Sequence, residues 1–347
     1  MGELIEKYVA VGIQYNFGDM ESTEAGTKKN LMRMKEYVES AHRQFRRGFP
    51  VKLIAFPEAG TNGRALTIGE TVKNAQEIPG PITEEIGSWA KEYDCFIAFG
   101  MLSLLPQYPK AVFNTAVIVD DKGQICLTYR KTNPWLPSEY LTSPHDLKDT
   151  WDFKKNPLFP VAKTKIGNLG AYICHDGMTP ESCRQLAFNG AEIMYHPELL
   201  MDPWILPPQE YFELQTRWNS VVNMCYHVAV NAAWEPRIRH PFAVSGGSMI
   251  TDYEGRVLSC CPYAPVESYC VAIIDVKGVR DYRTTMMTHN GLCSFRGDLY
   301  DYYKRPVMYR PNPKTADDPN YSRNHSIKVM GEAMKRFWSD YYKDAVQ

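Results

Sequence analysis

Three reactive side chains each follow a run rich in aliphatic and aromatic residues. They are Glu58, Lys131 and Cys174. A carboxylate, an ammonium and a thiol are the groups that a nucleophilic mechanism with acid–base assistance needs. In an α/β fold such groups are usually found at the ends of buried strands. Taken singly, each has an ordinary interpretation: a solvated strand end, a surface lysine, and a small buried hydrophobe or metal ligand.

A second carboxylate follows Lys131 in the segment TNPWLPSE. Glu139 ends this segment, and Pro134 and Pro137 stiffen it, because each proline fixes its own φ near −65°. A stiff segment can return Glu139 to the lysine with little loss of entropy. Glu139 is therefore predicted to hold substrate or Lys131, or to serve only as a structural ion-pair partner of that lysine.

The first part of the chain alternates between strand-like and helix-like stretches. Apolar runs at 8–17, 51–58 and 96–102 predict buried strands. Between them, 30–45 has apolar residues spaced three and four apart, which predicts one helical face, and 84–95 predicts a second helix. This alternation indicates an α/β fold.

The second part adds hairpins and further strands. The segment 113–131 predicts a hairpin around Asp121, Lys122 and Gly123, because Gly favours the turn. After the run that carries Cys174, Thr179 can cap a helix that begins at Pro180 and stops before Gly190. The remaining predicted elements are strands at 169–177, 191–197, 227–234 and 269–276, a helix at 211–225 and a hairpin at 246–261.

The composition changes after about Lys277. Residues 277–347 are rich in Tyr, Arg, Pro and Asn and cannot build a core of their own. Their aromatic content is unlike that of a disordered tail. We therefore predict one domain over 1–276 and an ordered extension over 277–347 that packs on its own domain or on a neighbouring subunit.

Bulk properties exclude several classes of protein. A formal net charge of −1 gives no reason to expect nucleic acid or an anionic membrane as partner. No apolar run has the length of a membrane span. The N-terminus lacks the basic region and cleavage site of a signal peptide, so we expect a cytoplasmic protein. Nine irregularly spaced cysteines and eight scattered histidines predict neither a disulfide framework nor a metal centre.

Together, the motifs resemble those of the nitrilase superfamily of carbon–nitrogen hydrolases, in that family's order. The resemblance runs roughly from Val9 to Val276, and its Glu–Lys–Cys set falls on Glu58, Lys131 and Cys174. The motifs that carry it are Phe56-Pro57-Glu58, Asn114-Thr115, Tyr129-Arg130-Lys131, Cys174-His175-Asp176-Gly177, Pro180-Glu181, Asn231 and SMITDYEGRVL. The resemblance implies an αββα sandwich, two sheets packed face to face with helices outside, and an even-numbered homo-oligomer without a cofactor.

Within the superfamily, the sequence is most similar to aliphatic amidases and formamidases. YRKTNPWLPSE keeps that branch's Pro-Trp pair and its second acid, and ICHDGMTPE is very like the formamidase cysteine loop. Two features depart from the branch: Ala59 stands where an aromatic residue is frequent, and the stretch 195–211 does not match. The catalytic set therefore carries over better than the substrate pocket.

The resemblance implies hydrolysis of a small carboxamide through a thioester on Cys174. Glu58 would act as general base and acid, and Glu139 would position the substrate. Lys131 and the backbone N–H of His175 would stabilise the oxyanion. The His175 side chain is a rival base, but neighbours on an extended strand point to opposite faces, so we favour Glu58.

Several alternatives remain open from the sequence. Ala59, Trp135 and His196 are candidate substrate-binding residues, although the last two could equally serve packing, and Asp176 could brace the turn. Hydrolysis of a carbamoyl substrate or a nitrile is a sister activity of the same superfamily. A binding scaffold without catalysis is a rival from another class, and the intact catalytic set argues against it.

Overall fold

The computed structural model describes residues 3–16, 22–46, 48–63, 67–136, 139–234, 243–312, 314 and 321–341. Over these residues the chain forms fourteen strands and eight α-helices. The strands are β1 (Lys7–Gln14), β2 (Val51–Ala55), β3 (Phe96–Leu105), β4 (Tyr108–Val119), β5 (Ile125–Arg130), β6 (Val161–Thr164), β7 (Gly167–Ala171), β8 (Ile193–Glu198), β9 (Tyr226–Asn231), β10 (Ala233–Trp234), β11 (Val244–Ser245), β12 (Met249–Thr251), β13 (Val257–Cys260) and β14 (Ser268–Asp275). The helices are α1 (Glu24–Gln44), α2 (Ile68–Thr71), α3 (Pro81–Glu92), α4 (Pro180–Phe188), α5 (Tyr211–Asn223), α6 (Val276–Thr285), α7 (Gly291–Ser294) and α8 (Arg323–Tyr341).

Twelve of these strands form two six-stranded sheets. The first has the order β14-β1-β2-β3-β4-β5, and the second has the order β13-β12-β9-β8-β7-β6. In each sheet three neighbouring strands are parallel, β1 to β3 in the first and β7 to β9 in the second. The carboxyl ends of these parallel strands are where a site is expected.

Side-chain alternation along β1 shows how the layers are built. Tyr8 and Ala10 lie in the core between the two sheets, whereas Val9 and Val11 face α1 and α3. This is the period of two that a strand buried on both faces requires. With α4 and α5 against the second sheet, the layers are helix, sheet, sheet and helix, so the αββα sandwich is confirmed.

Most predicted elements are present with shifted ends. The hairpin at 113–131 turns at Gly123, whose φ is +79°, and α4 begins at Pro180 as predicted. One expectation is wrong: Thr179 occupies the N-cap position, but its side chain makes no capping hydrogen bond. Phe17, the predicted end of the first strand, lies outside the described residues.

The C-terminal extension contacts its own chain. Val276 and Val279 of α6 join the core between the sheets, so a helix starts at the predicted domain boundary. Farther along, the Nζ of the fully buried Lys314 lies 2.6 Å from Oδ2 of Asp146. The domain boundary and any contact with a neighbouring subunit stay predictions.

Candidate active site

Glu58 follows β2, at a place where two backbone segments come unusually close. A Cβ on Gly100 of β3 would lie 2.6 Å from the backbone nitrogen of Ala59, which only glycine avoids. Ala59 itself has a φ of +50°. This close approach turns the chain sharply after the strand and directs the buried Glu58 carboxylate into the molecule.

Lys131 lies directly after β5 and contacts both predicted carboxylates. Its Nζ is 2.9 Å from Oε1 of Glu58 and 2.7 Å from Oε2 of Glu139. All three side chains are buried, so solvent does not screen the two ion pairs. The ion pair that the sequence allowed between Glu139 and Lys131 is therefore present, and it is buried.

Asn114 of β4 links the same two carboxylates. Its Nδ2 donates to Oε1 of Glu58 at 2.6 Å and to Oε1 of Glu139 at 2.9 Å. Its backbone carbonyl accepts the N–H of Lys131 at 2.9 Å. The sequence indicated this asparagine only as part of a motif, and the structure places it as the bridge that sets the separation of the two acids.

The two carboxylates have opposite pKa shifts although they share one lysine. Burial raises the pKa of Glu58 above its ordinary value, and Lys131 offsets this only in part. Burial also acts on Glu139, but Lys131, Asn114 and the backbone N–H of Trp135 outweigh it and lower its pKa to about 2. Separated pKa values commonly divide an acid–base role from a fixed charge. Glu58 is thus suited to exchange a proton, and Glu139 to remain a carboxylate.

Cys174 begins a tight turn and does not continue a strand. Its φ is +48°, in the left-handed region that non-glycine residues rarely adopt, and residues Cys174–Met178 form a 3₁₀ helix. The extended geometry expected for Cys174 and His175 is therefore wrong. Both border the same cavity, and Nδ1 of His175 lies 3.3 Å from the carbonyl oxygen of Asn133.

Asp176 holds this turn, as the sequence suggested. Its carboxylate accepts the N–H of Ile173 at 3.0 Å and the hydroxyl of Tyr129 at 2.8 Å. It also accepts the hydroxyl of Thr132 at 3.0 Å and the N–H of Asn133 at 2.8 Å. These bonds tie the cysteine turn to the segment that follows Lys131, so the strained backbone of Cys174 is fixed from both sides.

The Cys174 thiol is held in its protonated form. Burial raises its pKa, and the carboxylates of Glu198 and Glu58 raise it further, while Lys131 acts in the opposite direction. Burial would lower the pKa of Lys131, but interaction with Cys174, Glu139 and Glu58 outweighs burial and raises it. Thiol and ammonium therefore interact, and a proton must leave the thiol before it can act as a nucleophile.

Two hydrogen bonds join the sheets at this edge. The hydroxyl of Tyr195 in β8 donates to the carbonyl of Phe56 at 2.6 Å, and the N–H of Glu58 donates to the carbonyl of Glu198 at 3.4 Å. They connect the acid from the first sheet to the strand beside the cysteine in the second sheet.

A cavity of about 120 Å³ opens beside Cys174. Its wall is mainly apolar, and the described residues that line it are Trp135, Cys174, His175, Met178, Glu198, Leu199, Leu200, Met201, Trp204, Tyr211 and Gln215. Of the predicted substrate-binding residues, Trp135 therefore borders the cavity. Ala59 and His196 are not in this lining. A water position needs about 10–15 Å³, so the cavity fits roughly ten waters or a small ligand.

His196 lies beneath the cysteine turn. It is fully buried, stacks on Tyr172 with ring centroids 4.1 Å apart, and its Nε2 lies 3.3 Å from the carbonyl oxygen of Cys174. The same nitrogen is 3.0 Å from Oε1 of Glu198. His196 can therefore support the turn and orient Glu198, both from behind the cavity wall.

Sequence reasoning missed Glu198. This glutamate ends β8 and is fully buried, which is the pattern that identified Glu58, but it fell in a stretch that matched no family motif.

Among the described residues, no group of three or more His, Cys, Asp and Glu side chains is arranged to hold a metal ion. Nor does the described part of the chain contain a helix long and apolar enough to cross a bilayer.

A family model described as carbon-nitrogen hydrolase matches residues 11–284. This range begins within β1 and covers the rest of both sheets, together with Glu58, Asn114, Lys131, Glu139 and Cys174. The chain belongs to the carbon–nitrogen hydrolase family. As a member of that family it is a hydrolase of non-peptide carbon–nitrogen bonds, which agrees with a thiol, a lysine and an acid that follow strands, and with a second acid that contacts the lysine.

Similar proteins place this carbon–nitrogen hydrolase near the formamidases. A formamidase of Bacillus cereus (strain Q1) is 30% identical over 259 residues, which cover 73% of this chain and 70% of the relative. A formamidase of Bacillus anthracis is 29% identical over the same shares.

Solved structures share the fold at lower identity. Nit3 of Saccharomyces cerevisiae, a member of branch 10 of the nitrilase superfamily, superposes with a TM-score of 0.65 and 19% identity, covering 83% of this chain and 97% of that one. An amidase from Nesterenkonia sp. superposes with a TM-score of 0.60 and 16% identity, covering 85% and 96%.

Proposed function

We propose that the protein is a thiol amidohydrolase that cleaves a small carboxamide to a carboxylate and ammonia through a thioester on Cys174. The observation that carries the proposal is the buried cluster in which Lys131 contacts two carboxylates whose pKa values are shifted in opposite directions. That arrangement supplies one proton carrier and one fixed charge beside a thiol.

In the first half of the reaction, Glu58 accepts the proton of Cys174 as the sulfur attacks the amide carbon. The neutral resting thiol makes this base necessary. Lys131 and the backbone N–H of His175 stabilise the oxyanion of the tetrahedral intermediate. Glu58 then gives its proton to the leaving nitrogen, the carbon–nitrogen bond breaks, and ammonia departs from the thioester.

In the second half, Glu58 accepts a proton from water while the water oxygen attacks the thioester carbon. The carbon–sulfur bond breaks, Cys174 regains a proton and the carboxylate leaves. Glu139 remains ionised throughout, because its pKa is about 2, and so keeps Lys131 in place. Every proton passes between groups of the chain and water, so the mechanism needs no cofactor, and dialysis against a chelator should leave activity unchanged.

The size of the cavity favours a short acyl group. About 120 Å³ beside Cys174 has room for a small substrate. The similar proteins support this size: the Bacillus relatives are named formamidases, and a double mutant of the Nesterenkonia amidase was solved in complex with acrylamide.

The lining of the cavity also separates the sister activities. None of its described lining residues is a lysine or arginine, so the carboxylate of an N-carbamoyl amino acid has no cation to bind there. A nitrile lacks the carbonyl oxygen that Lys131 would stabilise from the start. Both activities stay in the test as competing outcomes.

The test measures ammonia release from formamide, propanamide, a nitrile and an N-carbamoyl amino acid. We expect hydrolysis of the simple amides and a covalent acyl adduct on Cys174 by mass spectrometry. Cys174→Ala should abolish turnover, and the matched control Cys293→Ala, which changes an exposed thiol, should retain it. Carbon dioxide with the ammonia would indicate the carbamoyl activity, and no turnover of any substrate would favour a scaffold.

We also propose an even-numbered homo-oligomer. Helix α5 exposes Leu214, Trp218 and Val221, and the neighbouring β13 exposes Val257 and Leu258. Large adjacent apolar side chains of this kind commonly mark an interface between proteins. Sedimentation should give an even multiple of the 39.7 kDa chain, and a monomer at micromolar concentration would refute the proposal.

The cytoplasmic location predicted from sequence remains part of the proposal. All nine cysteines are free thiols, which agrees with a reducing compartment. Fractionation of the native host is the measurement that decides it.

A further inference from the structure

Glu198 is a buried carboxylate on the cavity wall that the reaction just described does not use. It ends β8 and has no exposed surface, yet it lines the space beside Cys174. Burying an ionisable group costs free energy unless the group is paired, so the partners of each Glu198 oxygen indicate whether this carboxylate is purely structural.

The hydrogen bonds around Glu198 satisfy only one of its oxygens. Oε1 accepts a hydrogen bond from Nε2 of Gln215 and lies 3.0 Å from Nε2 of His196. Oε2 has no hydrogen-bond partner among the described residues, and neither has Oε1 of Gln215. Both side chains line the same cavity, so it is bordered by two acceptors that lack a donor.

No lysine or arginine is among the described residues that line the cavity, and the Lys131 ammonium is paired with Glu58 and Glu139, so no cationic side chain completes this pair. Gly177 shows how tightly Gln215 is held, because a Cβ there would lie 2.6 Å from its Oε1. A cationic donor for both acceptors would therefore come from what the cavity binds.

We propose that Glu198 and Gln215 bind a protonated amine on the acyl part of the substrate, so that the preferred substrates are small amino-substituted carboxamides. A protonated amine carries three donors and a positive charge, which complement one carboxylate oxygen and one amide oxygen. This inference rests on the amidohydrolase function proposed above and narrows its substrate class.

The position of Glu198 limits where the amine lies on the substrate. Nε2 of His196 contacts both the carbonyl oxygen of Cys174, at 3.3 Å, and Oε1 of Glu198, at 3.0 Å. The His196 ring therefore contacts both the Glu198 carboxylate and the backbone of Cys174, so these two groups lie close together. The amine has to be one or two carbons from the reacting carbonyl, with the connecting methylenes against apolar side chains such as Leu199 and Trp204.

Binding an amine there would also assist the chemistry. The Glu198 charge raises the pKa of Cys174, together with burial and Glu58. An ammonium placed against Glu198 neutralises that charge and so eases removal of the thiol proton. A neutral substrate leaves the negative charge uncompensated, so amino-substituted substrates should gain in kcat as well as in KM.

The experiment compares amides of nearly equal shape that differ in charge. At pH 7, where an aliphatic amine is protonated, kcat/KM is measured for 3-aminopropanamide against butanamide, and for glycinamide against propanamide. The wild-type protein should prefer the amine member of at least one pair by about tenfold or more, the usual size of a hydrogen bond to a charged group. Glu198→Gln should reduce that preference by at least about tenfold.

Two further variants separate recognition from structural effects. Gln215→Leu removes the second acceptor and should lower the same preference by a smaller factor. Glu84→Gln removes one negative charge from the exposed face of α3, away from the cavity, and should keep the wild-type preference.

Each outcome has a distinct meaning. A wild-type protein that hydrolyses neutral amides as well as their amine counterparts would overturn the amine site and leave the proposed function standing. A Glu198→Gln variant that loses activity equally on both members of a pair would also overturn it, because the carboxylate would then be structural. If no amide is hydrolysed, the proposed function fails and this inference with it.

Discussion

The two sheets contribute unlike halves to one site. The half from the first sheet is Glu58, Asn114, Lys131 and Glu139, in which each charged side chain is paired with an opposite charge and hydrogen-bonded. The half from the second sheet carries Cys174 and Glu198, with Gln215 beside them, and Glu198 and Gln215 each have one oxygen without a donor among the described residues.

This difference suggests two roles. The fold alone fixes the half from the first sheet, whereas a bound ligand would supply the donors that the half from the second sheet lacks. Buried charges that are paired and hydrogen-bonded in this way are rigid, because any displacement breaks several charge-assisted bonds at once, although Oδ1 of Asn114 has no partner among the described residues. Unsatisfied buried acceptors are costly and are expected to mark binding. Substitutions in the first half should therefore impair all substrates alike, and substitutions in the second half should change which substrate is preferred.

The largest effect is expected for Glu139→Gln. The variant keeps the shape but loses one of the two charges on Lys131, so the lysine would pair more strongly with Glu58 and weaken it as a base. Turnover should fall at least about 100-fold, by the same factor for amine-bearing and neutral amides. Steady-state kinetics on both members of a pair is the measurement.

A matched control for this variant is Glu92→Gln. Glu92 pairs with Lys35 on the surface, at 3.7 Å, and its loss should cost at most about 1 kcal/mol of stability and no activity. Near-normal turnover of Glu139→Gln with only a lower melting temperature would return Glu139 to a structural role.

The next effect is on the pH profile. Glu58 must be ionised to accept a proton, and burial raises its pKa above the ordinary value of 4.5. Activity should therefore be lost as the pH falls through an apparent pKa higher than 4.5. Asn114→Ala removes a donor that favours the carboxylate form, so it should move this acid limb to still higher pH. An acid limb of kcat/KM below 4.5 in the wild-type protein would contradict the assignment.

The smallest effect concerns the backbone of the nucleophile. A left-handed φ costs a non-glycine residue about 1 kcal/mol or more, and Cys174 has a φ of +48°. Cys174→Gly should therefore be more stable than Cys174→Ala by about 1 kcal/mol, measured by denaturant unfolding, with both variants inactive. Equal stabilities would show that the turn relaxes without the cysteine.

The sequence was sufficient for the parts of the site that depend on strand order. Glu58, Lys131 and Cys174 follow buried strands, and the fold brings such strand ends to one edge. The two prolines predicted that the following segment would return Glu139, and the ion pair with Lys131 bears out that proximity. For these residues, the local sequence pattern and the position along the chain were enough to predict that they lie near one another.

What the sequence left out depends on contacts between distant residues. Three features are properties of packing: Asn114 bridges two acids, Cys174 has a left-handed φ, and one oxygen of Glu198 has no partner among the described residues. A pattern of apolar and polar residues does not encode which donors are already taken. The expectation of an extended backbone at Cys174 and His175 failed for this reason, because the hydrogen bonds from distant residues to the Asp176 carboxylate stabilise a turn there.

The ion pair between Lys314 and Asp146 sets a limit on how much of the C-terminal extension can be removed from the enzyme. Asp146 lies just beyond Glu139 along the chain, and the hydroxyl of Thr142 donates to the carbonyl of Lys314. A protease or a premature stop codon that removed Lys314 would leave a buried carboxylate uncompensated, at a cost of roughly 3–5 kcal/mol. The smallest active fragment therefore extends past the last strand of the sandwich. A gene shortened at that strand would encode a protein in which the segment that carries Glu139 is no longer held in place.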